Sequence, residues 1–94
     1  MKLISVVSPC YNEQDNVEAL YEAVRAVFAR LPQYEYEHIF IDNASKDRTE
    51  ERLRAIARRD PNVRVILNTR NFGHIRSPVH AILQARGDAV IGMA

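Results

Sequence analysis

The spacing of apolar residues changes period several times along this chain. Leu3–Val7 is a short apolar, β-branched run and predicts a buried strand. From Asn16 the apolar positions take a helical spacing. Val17, Leu20, Tyr21, Val24, Val27, Phe28 and Leu31 fall on one face, and Pro32 ends the helix. His38–Ile41 predicts a second strand, closed by Asp42-Asn43. A helix start follows within Ser45–Glu50. Asp47 and Glu50 have the spacing of a capping box, and Ser45 is a rival cap. Leu53, Ile56 and Ala57 form the stripe of this second helix, and Asp60-Pro61-Asn62 breaks it. Val63–Leu67 predicts a third strand and Asn68–Gly73 a polar loop. His74–Arg86 predicts a helix with Pro78 in or near its first turn, and Ala89–Ala94 a fourth strand.

Apolar strands alternating with amphipathic helices define an α/β chain with a parallel sheet covered by helices on both faces. Right-handed crossovers leave few topologies. The predicted strand order is 3-2-1-4, half of a doubly wound, Rossmann-like sheet. The chain reverses direction across the sheet between strands 1 and 4. A ligand crevice is expected there, outside the carboxyl ends of the strands.

Composition adds exclusions. Ninety-four residues make one domain, and the 13 basic and 12 acidic side chains leave a net charge of +1, which argues against nucleic acid as a partner. Arg supplies 11 of the 13 basic residues, which suits anions but carries little weight alone. The single cysteine, Cys10, makes no internal disulfide, and a reducing cytoplasmic setting is expected. Leu3–Ser8 is too short for a signal-peptide core, and no run reaches the roughly 20 apolar residues of a membrane helix.

Candidate chemistry gathers after strands 1 and 2. Pro9-Cys10-Tyr11-Asn12-Glu13 and Asp42-Asn43-Ala44-Ser45-Lys46-Asp47 end neighbouring strands and open onto one rim. An aromatic ring beside carboxylates suits a nucleoside, the ring stacking on the base and a carboxylate accepting from a base N–H or the ribose hydroxyls. The competing reading is turn chemistry, because Asx side chains bond their own backbone and Glu13 favours a helix N-terminus. Position alone does not choose between them. Arg70 could reach a phosphate and Gly73 would permit close approach, although a plain polar loop is the simpler reading.

Other motifs are missing or point to structure. No Gly-x-Gly-x-x-Gly or Walker-type loop follows strand 1. His38, His74 and His80 lack metal-site spacing. His38 is placed at the start of strand 2, away from the crevice. Cys10 reads as a small buried hydrophobe, and Ser8 and Ser45 have no triad partners in order. Arg48, Arg52, Arg54, Arg58 and Arg59 interleave with Glu50 and Glu51 as a solvated, salt-bridged face.

These segments, in this order, resemble the family 2 glycosyltransferases, which have the GT-A fold. Pro9-Cys10-Tyr11-Asn12-Glu13 is similar to that family's Pro-x-Tyr-Asn-Glu opening. Asp42-Asn43-Ala44-Ser45-Lys46-Asp47-Arg48-Thr49 is similar to its Asp-Asp-Gly-Ser-x-Asp-x-Thr segment. Arg70-Asn71-Phe72-Gly73 resembles its Arg-Asn-x-Gly loop, and Ala85-Arg86-Gly87-Asp88 the approach to its metal-binding aspartates. The branch it looks most like transfers sugars to dolichol or polyprenyl phosphate, bactoprenol glucosyltransferases among them.

The resemblance implies that Pro9 and Tyr11 wall the base and ribose, Glu13 contacts the nucleoside and Asp42 bonds the base N–H. It implies that Arg70, Asn71 and Gly73 border the pocket, with Asn12, Asn43 and Ser45 completing the nucleotide-binding set. Two positions depart from the pattern. Asn43 replaces a carboxylate, and Ala44 replaces a glycine, so its backbone must tolerate a Cβ.

The implied reaction is inverting transfer from a UDP- or GDP-sugar to a polyprenyl-phosphate-type acceptor at the cytoplasmic face of a membrane. The expectation is that residues 1–94 form an N-terminal nucleotide-sugar-binding subdomain, cut before the Asp-x-Asp motif. Mg2+ or Mn2+ would then belong to the complete protein, and no metal or catalytic residue is expected in this chain. An apolar strand 4 at the chain's end predicts pairing between copies through its edge. The alternative is a non-catalytic interaction or regulatory module that kept the fold.

Overall fold

A computed structural model describes residues 2–68 and 89–92. The elements are β1 (Lys2–Cys10), α1 (Val17–Ala29), β2 (Tyr34–Asn43), α2 (Thr49–Arg59), β3 (Val63–Asn68) and β4 (Ala89–Gly92). The four strands form one parallel sheet in the order β3-β2-β1-β4, as the strand–helix alternation predicts. The predicted loop Asn68–Gly73, after its first residue, and the predicted helix His74–Arg86 lie outside the described residues.

Strand alternation divides the side chains between two faces. On one face Phe40, Cys10 and Val63 pack against Val17 and Tyr21 of α1 and against Leu53 and Ile56 of α2. Both crossovers run in the same direction along the sheet and have the same hand, so both helices cover this face. On the other face Val7, Ile39 and Ile41 form a second buried cluster, with Ile66 packed against it. The third helix, expected on that second face, falls in the segment outside the described residues.

β1 and β2 are longer than their apolar runs. Tyr34–Glu37 has no continuous apolar stretch, yet it pairs with Lys2–Ser5. Tyr36 stacks on Phe28 with ring centroids 4.5 Å apart. Glu37 accepts hydrogen bonds from Ser5 Oγ and, at 3.1 Å, from Arg64 Nη1. His38 is therefore mid-strand and not at the strand's start. It is 1% exposed, and its Nε2 lies 2.9 Å from Ser8 Oγ. Burial lowers its pKa from 6.5 to about 4, against a smaller upward pull from Asp60, so the ring is neutral.

α1 ends earlier than predicted. Arg30 N and Leu31 N donate to Val27 and Phe28 carbonyls in tightened i→i−3 bonds before Pro32. Val27, placed on the buried stripe by its spacing, is 54% exposed. It lies on an apolar groove of about 370 Å3 between α1 and β4, lined also by Ile4, Val6, Val24, Tyr34 and Ile91. The charged face of α2 forms in part, with Arg54–Glu50 and Arg48–Glu51 pairs and Arg59 reaching Glu18 of α1 at 2.7 Å, whereas Arg52 is half-buried and its Nε has no hydrogen-bond partner among the described residues. Among the described residues no helix is long and apolar enough to cross a membrane.

Candidate functional site: the interlocked rim of β1 and β2

β1 and β2 run side by side to the register pair Cys10 and Asp42. Their loops therefore leave the sheet together. The β1–α1 loop turns at Asn12, which has φ 52°, and the β2–α2 loop turns at Ala44, with φ 58°. Asn is among the residues that tolerate this left-handed region. Ala is not, and there it carries a cost of roughly 1–2 kcal/mol. The alanine that departs from the family's glycine thus keeps the backbone shape that glycine suits.

Five hydrogen bonds cross between the loops. Asn12 N donates to Ser45 Oγ and Lys46 N donates to Asn12 Oδ1, both at 2.8 Å. Glu13 N donates to Thr49 Oγ1 at 2.8 Å, Gln14 N to Asp47 Oδ2 at 3.3 Å, and Arg48 N to Gln14 Oε1 at 2.9 Å. Backbone N–H groups that would otherwise need water are satisfied by side chains of the opposite loop. Asp42 and Asp47 brace the same loop from within. Asp42 Oδ1 accepts from Ser45 N at 3.2 Å and from Ser45 Oγ. Asp47 Oδ1 accepts from Thr49 N at 2.9 Å and Thr49 Oγ1 at 2.5 Å.

These bonds correct the predicted helix start. α2 begins at Thr49, and neither Ser45 nor an Asp47–Glu50 capping box caps it. Ser45 is engaged by Asp42 and Asn12, and Glu50 pairs with Arg54. Asp47 bonds two residues ahead in an Asx-type turn. Desolvation is the largest single influence and pushes upward, but the hydrogen bonds from Thr49 and Gln14 together hold the Asp47 carboxyl below its usual pKa.

The rim gathers Pro9, Tyr11, Asn12, Glu13, Asp42, Asn43 and Ser45. Tyr11 is 41% exposed and presents its ring to solvent, whereas Asp42 is only 2% exposed. Asn43 is buried on the opposite face of the sheet from Asp42, as strand alternation requires. Glu13 is half-buried. Its Oε2 accepts from Asn16 Nδ2 at 3.1 Å, and its carbonyl accepts from Asn16 N and Val17 N at the start of α1. Arg70, Asn71 and Gly73 lie outside the described residues. Gln14, Asp47 and Thr49 also belong to the rim. The Asp47-x-Thr49 spacing of a turn before a helix signals two of them, and nothing in the sequence signals Gln14.

Cys10 faces a cavity of about 280 Å3 on the helix side of the rim, with Pro9, Glu13 and Leu20. Burial first, then the charges of Glu13 and Asp42, raise its thiol pKa to about 12. The thiol is inert at neutral pH. A cleft of about 670 Å3, larger than the cavity at Cys10, lies at the opposite end of the strands beside Leu3, Phe28 and Tyr36, so cavity size does not mark the rim. Among the described residues no three His, Cys, Asp or Glu side chains come together as a metal-ion site.

Known proteins are similar to this chain in sequence and fold. A bactoprenol glucosyl transferase of Shigella phage SfV is 42% identical over 88 residues, which cover 94% of this chain and 28% of that protein. An undecaprenyl-phosphate 4-deoxy-4-formamido-L-arabinose transferase of Pseudomonas aeruginosa (strain LESB58) is 40% identical over 91 residues, covering 95% of this chain and 26% of that protein. The chain thus spans little more than a quarter of the curated relatives it matches. The mannosyltransferase PcManGT from Pyrobaculum calidifontis, solved in complex with GDP-Man and Mn2+, superposes with a TM-score of 0.71 at 23% identity. The match covers 93% of this chain and 25% of that one and shows a shared GT-A fold. Residues 5–93 match the family described as Glycosyl transferase family 2, and the chain belongs to that family.

Proposed function

We propose that this chain is the nucleotide-sugar-binding part of an inverting glycosyltransferase. It would transfer a sugar from a UDP- or GDP-sugar to a polyprenyl-phosphate acceptor at the cytoplasmic face of a membrane. The observation that carries this reading is the rim itself. Two hydrogen-bonded loops leave adjacent parallel strands and hold an exposed aromatic ring beside carboxylates, at the sheet end where α/β folds bind ligands. The relatives' polyprenyl-phosphate substrates, by name, support the acceptor class.

In this reading Tyr11 stacks on the base and Pro9 closes the wall beneath it. Asp42 accepts the base N–H through Oδ2, since both Ser45 bonds go to Oδ1. Glu13 faces the ribose hydroxyls, and Arg70, Asn71 and Gly73 border the nucleotide. The acceptor phosphate oxygen, already ionised, attacks the anomeric carbon. The new C–O bond forms as the bond to the nucleoside diphosphate breaks, so the demand for a general base is low. The described residues do not fit a metal site. The divalent cation that would neutralise the leaving diphosphate, the acceptor site and the catalytic groups belong, in this reading, to the part of the relatives' length that this chain does not span. Residues 1–94 alone bind nucleotide weakly and do not turn over.

The test is an NMR titration of the chain with UDP, GDP and their sugar conjugates, repeated on Asp42→Asn. Expected are shifts clustered at Tyr11, Glu13 and Asp42 that weaken in the variant. Absence of any shift at millimolar ligand overturns the reading for this chain.

A further inference from the structure

We propose that Asn12 is a positioning residue, a clasp that fixes the two rim loops and the Tyr11 ring before any ligand arrives. Its link to nucleotide rests on the function proposed above. The resemblance places Asn12 among the nucleotide contacts, but the geometry gives it other partners. Its backbone N–H donates to Ser45 Oγ and its Oδ1 accepts from Lys46 N, each at 2.8 Å. Both bonds reach the tip of the opposite loop. The other cross-loop bonds lie toward the helices, at Thr49, Asp47 and Arg48. Asn12 is thus the link between the loop tips, one residue from the exposed Tyr11 ring.

Position 12 makes two separate demands. The backbone must hold φ near 52°, and a short side chain must offer a carbonyl-type acceptor. Asn and Asp meet both demands, and Gly meets only the first. Asn12→Gly therefore removes the acceptor without straining the turn, and Asn12→Asp restores the acceptor. Ser45 completes the arrangement, because its hydroxyl donates to Asp42 while accepting from Asn12 N. The clasp thus leads through Ser45 to the carboxylate assigned to the base.

The experiment has two readouts on the 94-residue chain. Without ligand, amide exchange at Lys46 is followed by NMR. Asn12→Gly is expected to speed it about tenfold, and Asn12→Asp to return it toward wild type. Unchanged exchange in Asn12→Gly overturns the clasp. With UDP and GDP added separately, Asn12→Gly is expected to weaken both about tenfold and to leave their affinity ratio fixed, because fewer molecules hold the competent loop. A changed ratio assigns Asn12 to direct base contact and overturns positioning. Faster exchange at Lys46 with unchanged nucleotide affinity leaves Asn12 a purely structural role and also overturns it. If the wild-type chain binds neither nucleotide, the function reading fails, while Lys46 exchange still decides whether Asn12 holds the loops.

Discussion

Phe40 and Asp42 stand two residues apart on β2 and face the same side of the sheet. Phe40 is fully buried among Cys10, Val17, Tyr21, Leu53, Ile56 and Val63. Asp42 is nearly as buried, yet it is held by Ser45 and lies against the loop tips. One step along the strand exchanges apolar contact for directional hydrogen bonds. Apolar burial is worth roughly 25 cal/mol per Å2 and indifferent to direction, so the interior supplies stability. A hydrogen bond contributes only about 1 kcal/mol net but fixes position, so the rim supplies geometry. Substitutions in the interior should therefore change how much chain is folded, and substitutions at the rim how well the folded chain binds.

The sharpest way to break this contrast is Phe40→Ala. It should cost about 3–5 kcal/mol. That is most of the stability of a small domain, and urea melts followed by circular dichroism would show it. A loss below about 1 kcal/mol would mean that the helix face is not the stabilising core.

His38 is the next largest test, because it is a polar group set in the interior. Its Nδ1 has no hydrogen-bond partner among the described residues, and its ring leans on Phe40 with centroids 4.0 Å apart. The folded pKa near 4 lies below the unfolded 6.5, so between these values the unfolded chain binds a proton that the folded chain refuses. Stability is full above pH 6.5, falls by about 3 kcal/mol as pH drops to 4, and levels below that. Melts across this window should show the slope in wild type and lose it in His38→Gln.

At the rim the effects shrink in stability and appear in binding. Asp42→Asn keeps an acceptor for Ser45 but removes the charge. It should cost about 1 kcal/mol in melting while weakening nucleotide-induced shifts at Tyr11. Ala44→Gly is the smallest. It relieves the left-handed strain but loosens the unfolded chain, for a net gain of roughly 0.5 kcal/mol in urea melts.

The sheet was legible because strand runs and helix stripes are local patterns. The Leu3–Val7, His38–Ile41, Val63–Leu67 and Ala89–Ala94 runs, with the helical stripes between them, lead to the 3-2-1-4 order. Tyr34–Glu37 was not, since its strand character comes from Lys2–Ser5 beside it and from Phe28 over Tyr36. The rim's residues at the ends of β1 and β2 were legible as a group from their place after neighbouring strands, but their partners were not. Ser45 and Asp47 carry cap-like signals, yet they bond Asn12, Asp42, Gln14 and Thr49. Two of these four pairings, to Asn12 and Gln14, depend on which loops the sheet sets side by side, and the other two on how tightly the loop turns. Val27 fits the helical stripe and still meets solvent, because β4 leaves the groove beside it open.

That groove governs how the chain behaves among its own copies in a test tube. With a net charge of +1, there is little electrostatic repulsion to keep molecules apart. Val27 and Ile91, about half exposed, and Tyr34 beside them make an apolar strip. Sulfate and other excluded salts penalise wet apolar surface, so colloidal solubility falls first along this strip. Storage in low salt, away from the pI of about 7.9, follows as a practical rule.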